Sequence, residues 1–196
     1  MSITYTNRKG RTYHLCQGIT KTGKPRYYFA RKPKGEPVEH IPEGYEIKES
    51  VNGVVSLAKA RPAQILPQEL AAVEAAVRAH PRSGNYRVGV KDKRIEVYER
   101  MGPDAGDLIA GLGERGFPVL GRAGQIQEVL DRRAQFAPVL RFVLEDAETR
   151  SFGVQRMCYR SSVDGWLDVW SESGPVDQLA RRLVPVLGTE RFFELY

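Results

Sequence analysis

The proline-containing stretch KARPAQILP, at residues 59–67, separates two different patterns of apolar residues. Because proline fixes its own φ angle and has no backbone N–H to donate, neither a helix nor a central strand is expected to run through this stretch. Short strand-like patterns precede it, and helical spacing appears after it. We therefore predict a small β module at residues 1–60, a linker at 61–67 and a larger domain at 68–196.

Two hairpins explain the pattern that precedes the prolines. Residues 12–18 and 26–32 are enriched in aromatic residues and flank the turn sequence KTGKP. Residues 45–50 and 54–59 flank an Asn-Gly pair, which readily adopts the positive φ angles of a tight hairpin turn. Four antiparallel strands with a shared apolar face are sufficient for a stable module.

The longer part of the chain mixes helical and strand-like patterns. The predicted helices are residues 68–80, 122–136, 176–187 (which Pro185 would end early) and the C-terminal TERFFELY. The predicted strands are a hairpin at 86–99 and the segments 138–146, 151–159 and 166–170. The glycine-rich residues 102–124 are assigned to loop and short helix. The predicted fold class is α+β, with a small antiparallel β module of two hairpins followed by a larger α+β domain of antiparallel strands and interspersed helices.

Positive charge is concentrated at the N-terminus. The first 35 residues hold nine lysines and arginines and no acidic residue. Residues 1–65 carry twelve basic against five acidic side chains, whereas residues 66–196 carry eighteen against nineteen. Such an asymmetry between segments indicates a polyanionic partner.

The first hairpin would gather these nine cations into two groups, about 20–25 Å apart along the strands. The open-end group comprises Arg8, Lys9, Arg11, Arg31, Lys32 and Lys34, and the basic turn comprises Lys21, Lys24 and Arg26. Aromatic residues lie between the groups, and Tyr28 is the ring that we assign to stacking on a base. This arrangement predicts sequence-independent contact with nucleic acid. Alternatively, the cations protect sheet edges or pair with the five acidic residues between Glu36 and Glu49.

Trp166 and Trp170 form a second candidate surface. On a strand they share a face with Asp168, while Leu167 and Val169 take the other face. With that apolar pair buried, the tryptophans would form an interaction platform for a base, a sugar or a peptide. The alternative is that both rings cover the edge of the core.

The stretch GLGERG, at residues 111–116, matches the G-x-G-x-x-G pattern of dinucleotide-binding loops. That site requires a strand before the glycines and a helix after them. Only three apolar residues precede this stretch, and Pro118 disfavours a helix after it. We therefore predict a helix end and a turn, and no cofactor.

Other reactive side chains lack the spacing that their chemistry requires. His14 and Cys16 share one face of a predicted strand, but no paired ligands complete a zinc site. Cys158 lies in an apolar strand pattern, which favours burial over catalysis. Asp104 and Asp107 lie one helical turn apart, as acidic residues at the start of a helix often do. The sequence therefore predicts no metal site and no catalytic residue.

The chain begins without the apolar core of a signal peptide, and no apolar window approaches the roughly 20 residues of a membrane span. Its two cysteines form no disulfide framework. We therefore expect a cytoplasmic protein that does not contact membranes.

The segments YTNRKGRTYHL, KTGKPRYYF and IPEGYEI are similar to the opening module of a group of uncharacterised bacterial proteins. The resemblance covers about the first sixty residues. It implies a bacterial source and a separate N-terminal module, and it assigns no functional residue. We expect a binding protein that contacts nucleic acid; the alternatives are a protein-interaction or assembly module without nucleic-acid contact, and an enzyme whose motif is not readable.

Overall fold

The computed structural model describes residues 2–33, 35–102, 105–115, 123–160 and 163–195. These residues form eleven strands and five helices. The strands are β1 (Thr4–Thr6), β2 (Thr12–Ile19), β3 (Pro25–Ala30), β4 (Glu36–Pro37), β5 (Tyr45–Glu49), β6 (Val55–Lys59), β7 (Tyr86–Lys91), β8 (Arg94–Arg100), β9 (Phe136–Asp146), β10 (Ser151–Arg160) and β11 (Val163–Gly174). The helices are α1 (Pro67–Ala79), α2 (Ala105–Glu114), α3 (Ala123–Arg133), α4 (Val176–Leu183) and α5 (Glu190–Phe193). Every strand pair is antiparallel, so the predicted α+β class is confirmed.

The chain divides into two compact units. One contains residues 1–62 and 103–134, and the other contains residues 63–102 and 135–196. The first division falls inside the predicted linker. The second unit differs from the predicted domain at 68–196 because residues 103–134, which include α2 and α3, group with the N-terminal part of the chain.

In the first unit, β2 is the central strand of a four-stranded sheet. β3 pairs with one edge of β2, and β1 and β4 pair with the other. The hairpin of β5 and β6 packs on one face, where the rings of Tyr27 and Tyr45 lie 6.4 Å apart. β1 and β4 were not predicted, because strands of three and two residues are too short to show a period.

The connection from Ala30 to Glu36 must cross β2, since β3 and β4 occupy its opposite edges. It crosses on the side of Tyr28: a Cβ placed on Gly35 would lie 2.6 Å from the carbonyl oxygen of Gln17 and 3.0 Å from the Tyr28 hydroxyl. Gly35 has a φ of 110°, so glycine meets both the steric and the conformational requirement here. Cys16, which lies on the same face of β2, is completely buried.

The second unit contains a five-stranded meander in the order β11-β10-β9-β8-β7. α1 and α4 pack against each other and cover one face of this sheet. The core between helices and sheet includes Val73, Val77, Val97, Leu140, Phe142, Phe152, Leu179 and Leu183. Among the helices of the described residues, none combines the length and apolar character needed to cross a bilayer.

Arg156 is a buried charged side chain on the helix-covered face. Cross-strand register aligns Val97, Leu140 and Arg156, and Arg156 is buried. Its Nε donates to the carbonyl of Leu195 at 2.8 Å, and its Nη2 donates to the carbonyl of Phe193 at 3.2 Å. These two carbonyls lie at and beyond the end of α5, where no helix N–H is available to donate to them. The Arg156 guanidinium supplies the missing donors. Arg156 thereby fixes the C-terminal segment against the sheet.

Several predicted elements have different lengths in the structure. α4 ends at Leu183 and continues as a 3₁₀ turn through Val184–Val186, as the proline in that turn requires. β11 has twelve residues rather than the five predicted at 166–170. The glycine-rich region contains the ten-residue helix α2.

Candidate nucleic-acid interface

The basic turn joins β2 to β3 in a hydrogen-bonded loop. Thr20 N donates to the Lys24 carbonyl at 2.8 Å, and Gly23 N donates to the Thr20 carbonyl at 3.0 Å. The Thr20 hydroxyl also accepts from Lys24 N at 3.0 Å. Gly23 has a φ of 77°, a conformation that glycine adopts without strain. The turn therefore holds the backbone of its lysines in a defined shape.

All three side chains of the basic turn are exposed. Within the described residues, none of them forms an ion pair or a side-chain hydrogen bond. Lys21, Lys24 and Arg26 therefore keep their charge for an external anion. Because such exposed charges interact over about a Debye length, their effect depends strongly on ionic strength.

The open-end group is only partly available. Arg8 forms an ion pair with Glu49, with 2.9 Å between Nε and Oε1. The Arg8 backbone N–H donates to the same oxygen at 2.9 Å, and the Tyr5 hydroxyl donates to Oε2 at 2.9 Å. Arg8 thus binds an acidic residue of its own unit, as the alternative interpretation of the charge predicted.

Lys9 is also engaged within the first unit. Its Nζ donates to the Ala134 carbonyl, just beyond α3, at 2.9 Å. Burial, and then the neighbouring charges of Arg11 and Arg8, lower the pKa of Lys9. Asn7 supports this loop, since its Oδ1 accepts from the backbone N–H groups of Lys9 and Arg11 at 3.0 and 2.9 Å. Arg8 and Lys9 therefore stabilise the unit and do not form part of an open cationic surface.

The hydrogen bonds to Glu49 make the first unit sensitive to acid. Burial acts to raise the pKa of Glu49, but the bonds from the Arg8 backbone, Tyr5 and the Arg8 side chain outweigh it and hold this pKa below 4.5. A carboxyl with a lowered folded-state pKa stabilises the protein above its unfolded-state pKa, and this stabilisation is lost as pH falls through the folded-state value.

We expect Glu49→Gln to lower the free energy of unfolding at pH 7 by about 1–2 kcal/mol, because charge-assisted bonds are weakened. The same variant should lose less stability than the wild type when pH falls from 7 to 3.5. Urea unfolding at both pH values, followed by far-ultraviolet circular dichroism, measures this difference. The exposed Glu43→Gln is the control, and equal acid sensitivity of all three proteins would contradict the assignment.

The remaining described members of the open-end group are Arg11, Arg31 and Lys32. All three are exposed, and their side chains form no ion pair within the part of the chain that the structure describes. Arg31 and Lys32 lie on the connection that crosses β2. Lys34 lies outside the described residues. The available cations are therefore the basic turn together with Arg11, Arg31 and Lys32.

Tyr28 is half-buried. A Cβ placed on Gly18 would lie 3.3 Å from its Cε1, and one on Gly35 would lie 3.0 Å from its hydroxyl. The ring therefore packs between β2 and the crossing connection. The sequence does not show this packing, because it does not show that the chain crosses back over β2; the stacking role of Tyr28 stays a prediction.

The two tryptophans lie on β11 but differ in their surroundings. Trp166 is half-buried, and the Arg141 guanidinium stacks over its ring with 4.0 Å between Cζ and the ring centroid. Trp170 is 86% exposed. The register of β10 and β11 shifts between the pairs Gln155–Asp168 and Gly153–Ser173, and Trp170 lies within this irregular stretch. The predicted platform therefore consists of one open ring and one ring covered by an arginine that sequence reasoning did not identify.

The other candidate residues have ordinary structural positions. Gly111 lies inside α2 rather than in a strand-to-helix turn, and Gly116 lies outside the described residues. The Cys16 thiol donates to the His14 carbonyl at 3.6 Å. Cys158 is half-buried in β10. No group of three metal-ligating side chains occurs within the residues described.

The structure describes one residue of the predicted acidic pair. Asp107 lies in the first turn of α2, where a carboxylate interacts favourably with the helix dipole. Asp104 lies outside the described residues. The helix position explains Asp107 without any catalytic role.

Comparison of the chain with protein-family models, with curated proteins and with solved structures gives no match. Any functional assignment must therefore come from the charges and geometry of the molecule.

Proposed function

We propose that this chain is a bacterial cytoplasmic protein that binds nucleic acid without sequence preference, through the basic turn of its N-terminal β module. The exposed position of Lys21, Lys24 and Arg26, without an acidic partner in the described residues, is the observation that carries this proposal. Lysine and arginine that neutralise phosphates release bound counterions, which supplies affinity for any sequence.

The ion pair of Arg8 with Glu49 favours the basic turn over the open end as the binding surface. The chain neutralises this cation with Glu49 at the open end, whereas the basic turn keeps all of its charge. The backbone bonds of the turn support two lysines on a narrow projection, which suits contact with a phosphate backbone. Arg31 and Lys32 extend the positive surface along the crossing connection.

The proposal is tested by the salt dependence of binding. A fluorescently labelled 20-base-pair duplex is titrated with the protein at several NaCl concentrations, and anisotropy gives the dissociation constant. With four to six phosphate contacts, we expect log K to fall against log salt with a slope of about −3.5 to −5.5. Two duplexes of different sequence should bind within about threefold of each other, since phosphates carry no sequence information. Absence of binding at 25 mM salt, or a slope near zero, would overturn the proposal.

A further inference from the structure

A row of polar side chains crosses the second unit on the sheet face opposite α1 and α4. Cross-strand register aligns Glu96 on β8 with Arg141 on β9, Arg141 with Gln155 on β10, and Gln155 with Asp168 on β11. We call these four residues the polar row. Its members are on the other side of the sheet from the core residues of the same strands, because successive side chains alternate.

Arg141 is held in place at the centre of the row. Its Nε donates to the Gln155 side-chain oxygen, and its guanidinium stacks on Trp166. The Gln155 Nε2 in turn donates to Asp168 Oδ1 at 2.6 Å. Among the described residues, the terminal nitrogens of Arg141 make no hydrogen bond. A positioned guanidinium therefore retains donors for an external acceptor.

A second arginine lies beside the row. Arg94 is half-buried and its charge acts on Arg141, and within the described residues the Arg94 side chain forms no hydrogen bond and no ion pair. Burial lowers the pKa of Arg141 and the neighbouring charge of Arg94 lowers it further, while Glu96 and Asp168 act in the opposite direction. Glu96 accepts the Tyr98 hydroxyl at 2.5 Å rather than forming an ion pair. An anion placed between the two guanidiniums would relieve their repulsion.

Trp170 supplies an open aromatic ring on β11, two strands away from Arg141 on β9 in the sheet order, and the neighbouring Val169 is buried in the core. Trp170 follows Asp168 by two residues, in the stretch of β11 where the register with β10 shifts. Its 86% exposure leaves the indole available for stacking. Bases of a single strand can stack on such a ring, whereas bases of a duplex are already stacked on each other.

We propose that this sheet face is a binding site for single-stranded nucleic acid, with phosphate on Arg94 and Arg141 and a base stacked on Trp170. The inference rests on the proposed function, since it assigns a second contact surface to the same class of ligand. Stacking on Trp170 would favour single strands over duplexes. The basic turn does not make this distinction, because it contacts only phosphate.

Intrinsic fluorescence tests this site directly, because both tryptophans of the chain lie on β11. The probe is a twelve-residue thymidine oligonucleotide. We expect it to quench tryptophan emission by about half at saturation, while a duplex of the same length quenches little. Loss of one stacked base corresponds to about 5- to 150-fold weaker binding, so Trp170→Ala should weaken anisotropy-measured binding of the labelled oligonucleotide within that range.

Two variants separate the contributions of charge and ring. Arg94→Gln should weaken oligonucleotide binding by about 3- to 10-fold and lower the salt slope by about one. Phe193→Ala removes an exposed aromatic ring elsewhere in the second unit and should change neither value. Circular dichroism of each variant establishes that folding is retained. If both Trp170→Ala and Arg94→Gln bind the oligonucleotide as tightly as the wild type, the proposed site is wrong.

Other ligands give different outcomes. Equal quenching by inorganic phosphate or thymidine monophosphate would show a site for small anions, and equal quenching by poly-glutamate would show a site for acidic peptides; either result rejects the inference. Duplex binding through the basic turn without quenching by the single strand rejects the inference alone. Quenching by the single strand, with duplex binding that is insensitive to charge reversal of the basic turn, rejects only the proposed function.

Discussion

Reversing the charge of the basic turn with Lys21→Glu, Lys24→Glu and Arg26→Glu is expected to weaken duplex binding by at least about 100-fold at 50 mM salt. Three phosphate contacts are replaced by three repulsive charges. The salt slope should decrease by about three, because each lost contact removes nearly one released counterion. The side chains are exposed and unpaired within the described residues, so the unfolding transition should not change.

A hairpin turn in the second unit provides the matched control for this experiment. Lys91 and Lys93 are exposed on either side of the turn between β7 and β8. If duplex binding depends on the location of the charge, the double variant Lys91→Glu with Lys93→Glu should weaken duplex binding by less than about threefold per substituted residue. That small loss would come from the lower net charge of the protein. Comparable losses in the two variants would mean that duplex binding follows overall charge and not the basic turn. Anisotropy titration at fixed salt measures both proteins.

Glu69→Ala is expected to lower the free energy of unfolding by about 3 kcal/mol, the largest stability effect that we predict. Glu69 is 8% exposed and performs two roles in the second unit. Its Oε2 accepts from Leu66 N at 2.7 Å and so caps the first turn of α1. Its Oε1 accepts from Arg150 Nε at 2.7 Å. The variant therefore leaves the N–H of the N-cap residue Leu66 without its acceptor, and the partly buried Arg150 guanidinium keeps only the Gln64 carbonyl.

A second glutamate on α1 serves as the control for Glu69→Ala. Glu74 pairs with Arg78 at 3.7 Å, but both side chains are well exposed, so Glu74→Ala should cost less than about 0.5 kcal/mol. Urea unfolding followed by tryptophan emission measures both, because the fluorescence comes from β11 of the same unit. Similar losses in the two variants would show that burial does not determine the strength of the Glu69 pair.

Local sequence patterns were sufficient to predict most of the secondary structure. The helix predicted at 68–80 corresponds to α1, since apolar residues at helical spacing are a local signal. The hairpins at 12–32 and 45–59 were predicted for the same reason, because turn residues and strand formers are adjacent in the chain. The short strands β1 and β4 were not predicted, since their pairing depends on contacts with β2 rather than on their own sequence.

The candidate surfaces were less predictable because they depend on pairing between residues that are distant in sequence. Glu49 neutralises Arg8 across 41 positions of sequence, so an excess of charge in the first 35 residues does not show which cations remain available. Arg141 covers Trp166 only because β9, β10 and β11 are adjacent and in a particular register. The sequence identified the basic turn without such knowledge, because its three cations lie within six residues of each other.

Amide chemical-shift mapping tests most directly whether the basic turn contacts nucleic acid. Two-dimensional ¹⁵N–¹H spectra of the full chain are recorded during titration with the 20-base-pair duplex at low salt. We predict that the largest shifts occur at residues 20–28, with smaller shifts at Arg31 and Lys32, and that they reverse when salt is added. Shifts confined to other residues, or no shift in residues 20–28 while the duplex is bound, would contradict the proposed role of the basic turn.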